Sequence, residues 1–241
     1  MNRDKNPEIE ITADGSATLY LNDLDEHYHS TKGAVAESLH VYVETGWRAA
    51  PAKDPVRVFE VGFGTGLNAA LTAEAALNAK IPTIYHSVEL YPLEPALTGK
   101  LGYERVSEFF SAVNNAEWNT EVRVNSFFTL IKKIDNFLTM EFPSQTDIVY
   151  FDAFAPEKQP EMWNEDIFRR LFAAMSPGGR LTTYCAKGII RRRLQAAGFI
   201  VERLPGPANG KREILRATKP QIQQITPDDK VSCDNQAHLV P

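Results

Sequence analysis

Residues Val56 to Asn68, VRVFEVGFGTGLN, decide the fold. The first six are apolar enough for a strand buried on both faces. Three glycines, Gly62, Gly64 and Gly66, then turn the chain into LNAALTAEAALNA, which predicts a helix from about Leu67 to Ala79. Strand, glycine turn and helix form the opening unit of a doubly wound α/β fold, whose ligand lies over the turn. Glycine is needed there because a Cβ would hold the ligand away from the backbone.

Strand and helix patterns alternate downstream. TIYHSVEL (83–90) reads as a second strand, followed by a helical stretch rich in Leu and Glu. Helix EFFSAVNNA, strand EVRVNS, helix FFTLIKKIDNFL and strand DIVYFDAF follow. Next come helix NEDIFRRLFAAM, a Pro177-Gly178-Gly179 turn, strand RLTTYC, helix GIIRRRLQAAG and strands FIVERLP and REILRATK. The alternation predicts a mostly parallel sheet with helices on both faces. The short link GPANGK makes the last two strands an antiparallel hairpin. Seven strands are expected, on the plan of a Rossmann-like S-adenosylmethionine (SAM) methyltransferase. Ahead of this domain (55–219), residues 1–54 read as an extension with a hairpin around Asp14-Gly15 and a helix, AVAESLHVYVETG. Residues 220–241 read as a polar, loosely ordered tail.

Composition narrows the class. With 241 residues, 43% hydrophobic, the chain suits one α/β domain with additions. No apolar run is long enough to span a membrane and MNRDKNPEIE lacks the apolar core of a secretion signal, so a cytoplasmic protein is expected. Two cysteines, Cys185 and Cys233, and five unclustered histidines argue against a disulfide framework and against a metal site. A net charge of -5 is unlike a non-specific nucleic-acid coat, yet Lys187, Arg191, Arg192, Lys211 and Arg212 concentrate positive charge late in the chain.

The site residues follow from strand ends. Asn68 stands where a dinucleotide fingerprint carries Gly or Ala, and Glu60, just before the glycines, would repel a pyrophosphate. An acid there suits the cationic sulfonium and ammonium of SAM. Glu89 closes the second strand, where a carboxylate can accept both ribose hydroxyls. Asn125-Ser126, at the end of the expected third strand, is a position for an adenine contact. Asp152 ends the fourth, beside the ligand crevice, where it can take a proton from an amine or hold it in line. Phe154 and Trp163 offer an aromatic wall.

Four segments resemble the MnmC-type methyltransferase family: Tyr28 to Gly46, VFEVGFGTGLN, DIVYFDAFAPEKQPEMWNEDIF (147–168), and PGGRLTTYCAKGIIRRRLQAAGF with GKREIL. The string FAP-x-K-x-P-x-M-W is far more specific than a glycine turn. Ala153 stands where the family typically has Gly, and Lys32 where it usually has Asn. The resemblance implies methyl transfer from SAM to the exocyclic amine of 5-aminomethyl-(2-thio)uridine at the tRNA wobble position. By position it makes Asp152 and Phe154 catalytic. Glu60, Gly62, Gly64, Gly66 and Asn68 would hold the methionine end of the cofactor, and Glu89 the ribose. Lys187, Arg191, Arg192, Lys211 and Arg212 become tRNA contacts near the anticodon. Family members are often fused to a flavin-dependent oxidase, so a stand-alone form is expected, with a separate oxidase or other enzyme making the amine. Two other readings remain: N-methylation of a small amine or protein, and a non-catalytic SAM-fold module.

Overall fold

The computed structural model describes residues 7–51, 53–208 and 210–221. The expected tail lies, apart from its first two residues, outside the described residues, as does Cys233.

Eight strands form one sheet in the order β10-β11-β9-β8-β4-β5-β7-β6. Here β4 is Val56–Val61, β5 Thr83–Glu89, β6 Glu121–Asn125, β7 Phe128–Ile134, β8 Thr146–Phe151, β9 Met175–Thr183, β10 Ile200–Pro205 and β11 Glu213–Thr218. The five central strands, β7, β5, β4, β8 and β9, run parallel. β6 pairs antiparallel with β7, and β11 lies antiparallel between β9 and β10, so the C-terminal hairpin forms as expected.

The sheet has eight strands because FFTLIKKI is a strand and not the expected helix. Its apolar residues fit a helical spacing, but Phe128, Leu130 and Lys132 alternate inward and the segment pairs with β5 over seven residues. Partners on both edges override a weak local preference. The third parallel strand therefore ends at Ile134. Asn125 sits at the outer hairpin, donating its side-chain N–H to the Ala73 carbonyl at 3.0 Å. The Pro177-Gly178-Gly179 turn is absorbed into β9 as an irregularity in its register with β8.

Helices cover both faces. One face holds α2 (Leu67–Ala79), as expected, with α4 (Phe110–Asn115) and a helical segment running as α1 (Ala34–Ser38) into a π-helix, Leu39–Arg48. Tyr85, Tyr150, Phe128 and Val58 form that core with Tyr42 and Trp47. The other face packs α5 (Glu165–Ala174) and α6 (Gly188–Ala196) on Phe59, Val149, Phe151 and Leu181. The stretch after β5 breaks into α3 (Pro95–Thr98) and short 3₁₀ turns, interrupted by Pro92, Pro95, Gly99 and Gly102. At the N-terminus β1 (Glu8–Ile11) and β2 (Ala17–Leu21) make the expected hairpin, and β3 (Glu26–His27) adds a third strand. Among the described residues no helix is long and apolar enough to cross a membrane.

Candidate active site

The chain leaves β4 toward β5 and β7 on one side and later returns to place β8 and β9 on the other. Such a reversal opens a crevice at the carboxyl ends of the two central strands. Val61 and Phe151 are in register, and the Asp152 N–H donates to the Val61 carbonyl at 3.2 Å. The glycine turn and Asp152 are thus neighbours by sheet register. They open on a cavity of about 1050 Å³.

The glycines are demanded by their surroundings. Gly62 and Gly64 have φ of +88° and +51°, left-handed values that a side chain rarely adopts. A Cβ on Gly62 would meet the Asp152 carbonyl at 3.2 Å, and one on Gly64 the Tyr28 ring at 3.1 Å. The turn is tied down by Glu89, whose carboxylate accepts the N–H groups of Gly64 (3.2 Å) and Tyr91 (2.9 Å). Glu89 is buried but reaches the cavity wall.

Asp152 is held on the cavity wall by two side-chain donors. Its Oδ1 accepts from the Tyr42 hydroxyl at 2.5 Å, and its Oδ2 from the Asn68 amide at 2.8 Å. Removal from bulk water pushes its pKa up to about 7; Tyr42 and Asn68 pull it down, and the nearby Glu37 carboxylate pushes it up. Phe154 lines the cavity and meets the edge of Tyr28, with centroids 5.1 Å apart. Tyr184 closes another side, its hydroxyl donating to the Ala153 carbonyl at 2.9 Å. That bond uses the backbone of Ala153, whose own methyl is buried.

Of the residues singled out in the sequence, Gly62, Gly64, Asn68, Glu89, Asp152, Phe154, Lys187, Lys211 and Arg212 line this one cavity. Glu60 does not. It is fully buried, one oxygen accepts from Ser87 at 2.7 Å, and the other has no hydrogen-bond partner. Burial raises its pKa to about 8, so much of it is protonated at neutral pH. Gly66 also sits off the wall; a Cβ there would strike Phe63 at 2.9 Å. Trp163 is core rather than wall, fully buried with its indole N–H on the Phe154 carbonyl at 2.8 Å. Arg191 and Arg192 lie on α6 away from the cavity lining, and Lys187 pairs with Glu157.

Four residues on the wall or behind it do not stand out in the sequence. Tyr42 counted only as an apolar position of its helix, and Glu37 as part of an altered motif. Asp135 and Asn136, just past β7, line the cavity where Asn125-Ser126 was expected. The strand-like alternation of Phe128, Leu130 and Lys132 was the available signal for that shift.

Similarities to known proteins agree with this geometry. A family profile described as S-adenosyl-L-methionine-dependent methyltransferase matches residues 104–220. The tRNA 5-methylaminomethyl-2-thiouridine biosynthesis bifunctional protein MnmC of Pseudomonas fluorescens is 34% identical over 214 residues, covering 80% of this chain and 32% of that protein. The protein of the same name from Actinobacillus pleuropneumoniae is 29% identical over 245 residues, covering 90% of this chain and 36% of that protein. The chain therefore spans about a third of the length of these curated relatives. The crystal structure of MNMC2 from Aquifex aeolicus superposes with a TM-score of 0.71 at 26% identity, covering 95% of this chain and 75% of that one. A switch-point crevice with a glycine turn, matched along most of its length by these relatives, makes this chain an S-adenosyl-L-methionine-dependent methyltransferase of the MnmC-like kind.

Proposed function

We propose that the domain methylates the exocyclic primary amine of an aminomethyl-uridine at the tRNA wobble position. The observation that carries this reading is Asp152: a carboxylate on the cavity wall, held by two donors, with a pKa near neutrality. Similarity to the MnmC proteins supplies the acceptor class.

The residues present fit the cofactor. The turn at Gly62 and Gly64 has left-handed backbone and only tight space for a Cβ, and Glu89 offers carboxylate oxygens at the end of β5 for ribose hydroxyls. Asp135 and Asn136 stand at the end of the next parallel strand, in place for the adenine. Eight carboxyl side chains line the cavity against four lysines and arginines, an excess suited to a cation. SAM supplies an electrophilic methyl on sulfur.

The acceptor arrives as an ammonium, which has no lone pair to attack that methyl. Asp152, in its ionised form, accepts one N–H proton and leaves a neutral amine. Tyr42 and Asn68 each occupy one lone pair of the carboxylate, so the remaining lone pairs point the amine in a fixed direction. Tyr28 and Phe154 present ring edges and faces against which a flat, turned-out base can rest. Glu60, being buried, supports the floor through Ser87 rather than touching the cofactor. Lys211 and Arg212, exposed on the cavity side of the β10–β11 loop, supply phosphate contacts. The amine itself must come from a separate activity, such as an oxidase that uncovers it.

Asp152→Asn tests this assignment. The variant is expected to bind SAM within about threefold of wild type and to lose about 10²–10⁴ in turnover of aminomethyl-uridine tRNA. Calorimetry and methyl-incorporation assays read the two quantities. Loss of SAM affinity instead would make Asp152 a cofactor ligand, and unmodified tRNA with the wild-type protein would end the amine-acceptor reading.

A further inference from the structure

Lys211, in the link between β10 and β11, does not simply project into solvent. Its Nζ lies 3.5 Å from the centroid of the Tyr184 ring. It also lies 3.8 Å from Oε1 of Glu37. A carboxylate on one side and an aromatic face on the other make a cage for a cation.

Both walls of the cage are fixed. Glu37 is buried, and its other oxygen accepts the Ser30 N–H at 2.9 Å. Tyr184 is anchored by its hydroxyl on the Ala153 carbonyl, one residue from Asp152. Glu37, Tyr184 and Asp152 line the same cavity, close enough that Glu37 and Lys211 each act on the Asp152 charge, in opposite directions. Lys211 alone is loosely held, with 45% of its side chain exposed against 10% for Glu37.

A lysine side chain ends in a primary alkylammonium, and so does an aminomethyl group on a base. The two are alternative occupants of one cage. Glu37 and Asp152 face the same cavity, and in the free protein the Lys211 ammonium lies against Glu37 and offsets its effect on Asp152. We propose that the Glu37–Tyr184 cage is the subsite for the acceptor's aminomethyl group, and that acceptor binding displaces Lys211 from it to an RNA phosphate. This rests on the amine-acceptor reading above. Exchange of one ammonium for another keeps the local charge constant, and the incoming one lies beside the proton acceptor Asp152. The displaced lysine has a flexible stem long enough to turn outward. A correctly seated acceptor and a phosphate contact thus become mutually dependent.

The exchange predicts opposite effects on two ligands. With Lys211→Ala, 5-aminomethyl-uridine nucleoside, which has no phosphate, should bind about threefold to tenfold more tightly, because the subsite is no longer filled from within. tRNA binding should lose salt dependence, its log–log slope falling by about one. Lys211→Arg keeps a cation for the cage and should bind the nucleoside as wild type does. Nucleoside binding is read by calorimetry with S-adenosylhomocysteine present, and tRNA binding by filter retention across salt. Equal or weaker nucleoside binding by Lys211→Ala, undetectable binding included, overturns the exchange and leaves Lys211 as a phosphate contact or a direct partner of the acceptor. The amine-acceptor reading fails separately, if wild type does not methylate tRNA carrying aminomethyl-uridine.

Discussion

Replacing Tyr42 by Phe removes one hydroxyl and tests the proton-accepting role of Asp152 through its pH profile. Tyr42 donates to Asp152 Oδ1 at 2.5 Å, and the carboxylate has a pKa of about 7 with that donor in place. A hydrogen bond to a charged group contributes about 1.5–3 kcal/mol. At about 1.4 kcal/mol per pKa unit, its loss raises the Asp152 pKa by about one to two units. The sign is fixed, because Tyr42 stabilises the ionised form and its removal favours the protonated one. At pH 7 the ionised fraction then drops from about one half to about a tenth or a hundredth, so kcat/KM falls about fivefold to fiftyfold. The acid limb of the profile moves alkaline by the same one to two units, and the two proteins converge above it. Kinetics at saturating SAM between pH 5.5 and 10 read the shift, and charge contributed by the cofactor cancels between variant and wild type. A lower rate with an unmoved limb would refute the reasoning, since Tyr42 would then act by packing alone.

Gly64→Ala must place a side chain at φ +51° with its Cβ 3.1 Å from the Tyr28 ring. It should raise the SAM dissociation constant about fivefold to thirtyfold, from about 1–2 kcal/mol of backbone strain and a displaced turn, as measured by calorimetry. Lys132 is buried, donates to the Val113 and Asn114 carbonyls at 3.0 and 2.9 Å, and has its pKa lowered to about 8 by burial. Above that value the unfolded chain binds the extra proton, so wild type should gain stability between about pH 8 and its unfolded value of 10.5 relative to Lys132→Met, a trend that urea unfolding at each pH will show or refute. Arg212→Ala should reduce the salt slope of tRNA binding by about one, while Arg192→Ala, off the cavity wall, should reduce it less; equal effects in filter binding would widen the interface to α6.

The parts of this molecule legible in its sequence are those where local chemistry and tertiary position coincide. Strand β4, the glycine turn and α2 declare themselves because a fully buried parallel strand, positive φ and an alanine-rich helix each leave their own signature. Asp152 and Glu89 are legible because acids at strand ends are few. Glu60 is different. An acid before the glycines suggests a cation partner, but whether the side chain faces the ligand or the sheet interior depends on strand register, which a single strand does not encode. In the fold it faces Ser87 on β5 and meets no solvent. β7 was hidden by a spacing that serves helix and strand equally, and its pairing with β5 settles it.

Tyr42 was hidden for a stronger reason. At helical spacing a tyrosine among Val41 and Val43 reads as core, and core it is, at 2% exposure. The chain around it is a π-helix, a rare form that recurs at functional sites. The wider turn brings Tyr42, Gly46 and Trp47 onto the sheet face, four and five residues apart, where an α-helix would space them at three and four. Gly46 permits the approach, since a Cβ there would stand 2.9 Å from the Tyr150 ring. With Gly46 seated on β8, Tyr42 lies one turn closer to the strand's carboxyl end, and its hydroxyl reaches Asp152. The donor that sets the charge of the proposed proton acceptor is therefore delivered by a close helix–sheet contact, and a side chain at Gly46 should move the Asp152 pKa in the same direction as Tyr42→Phe.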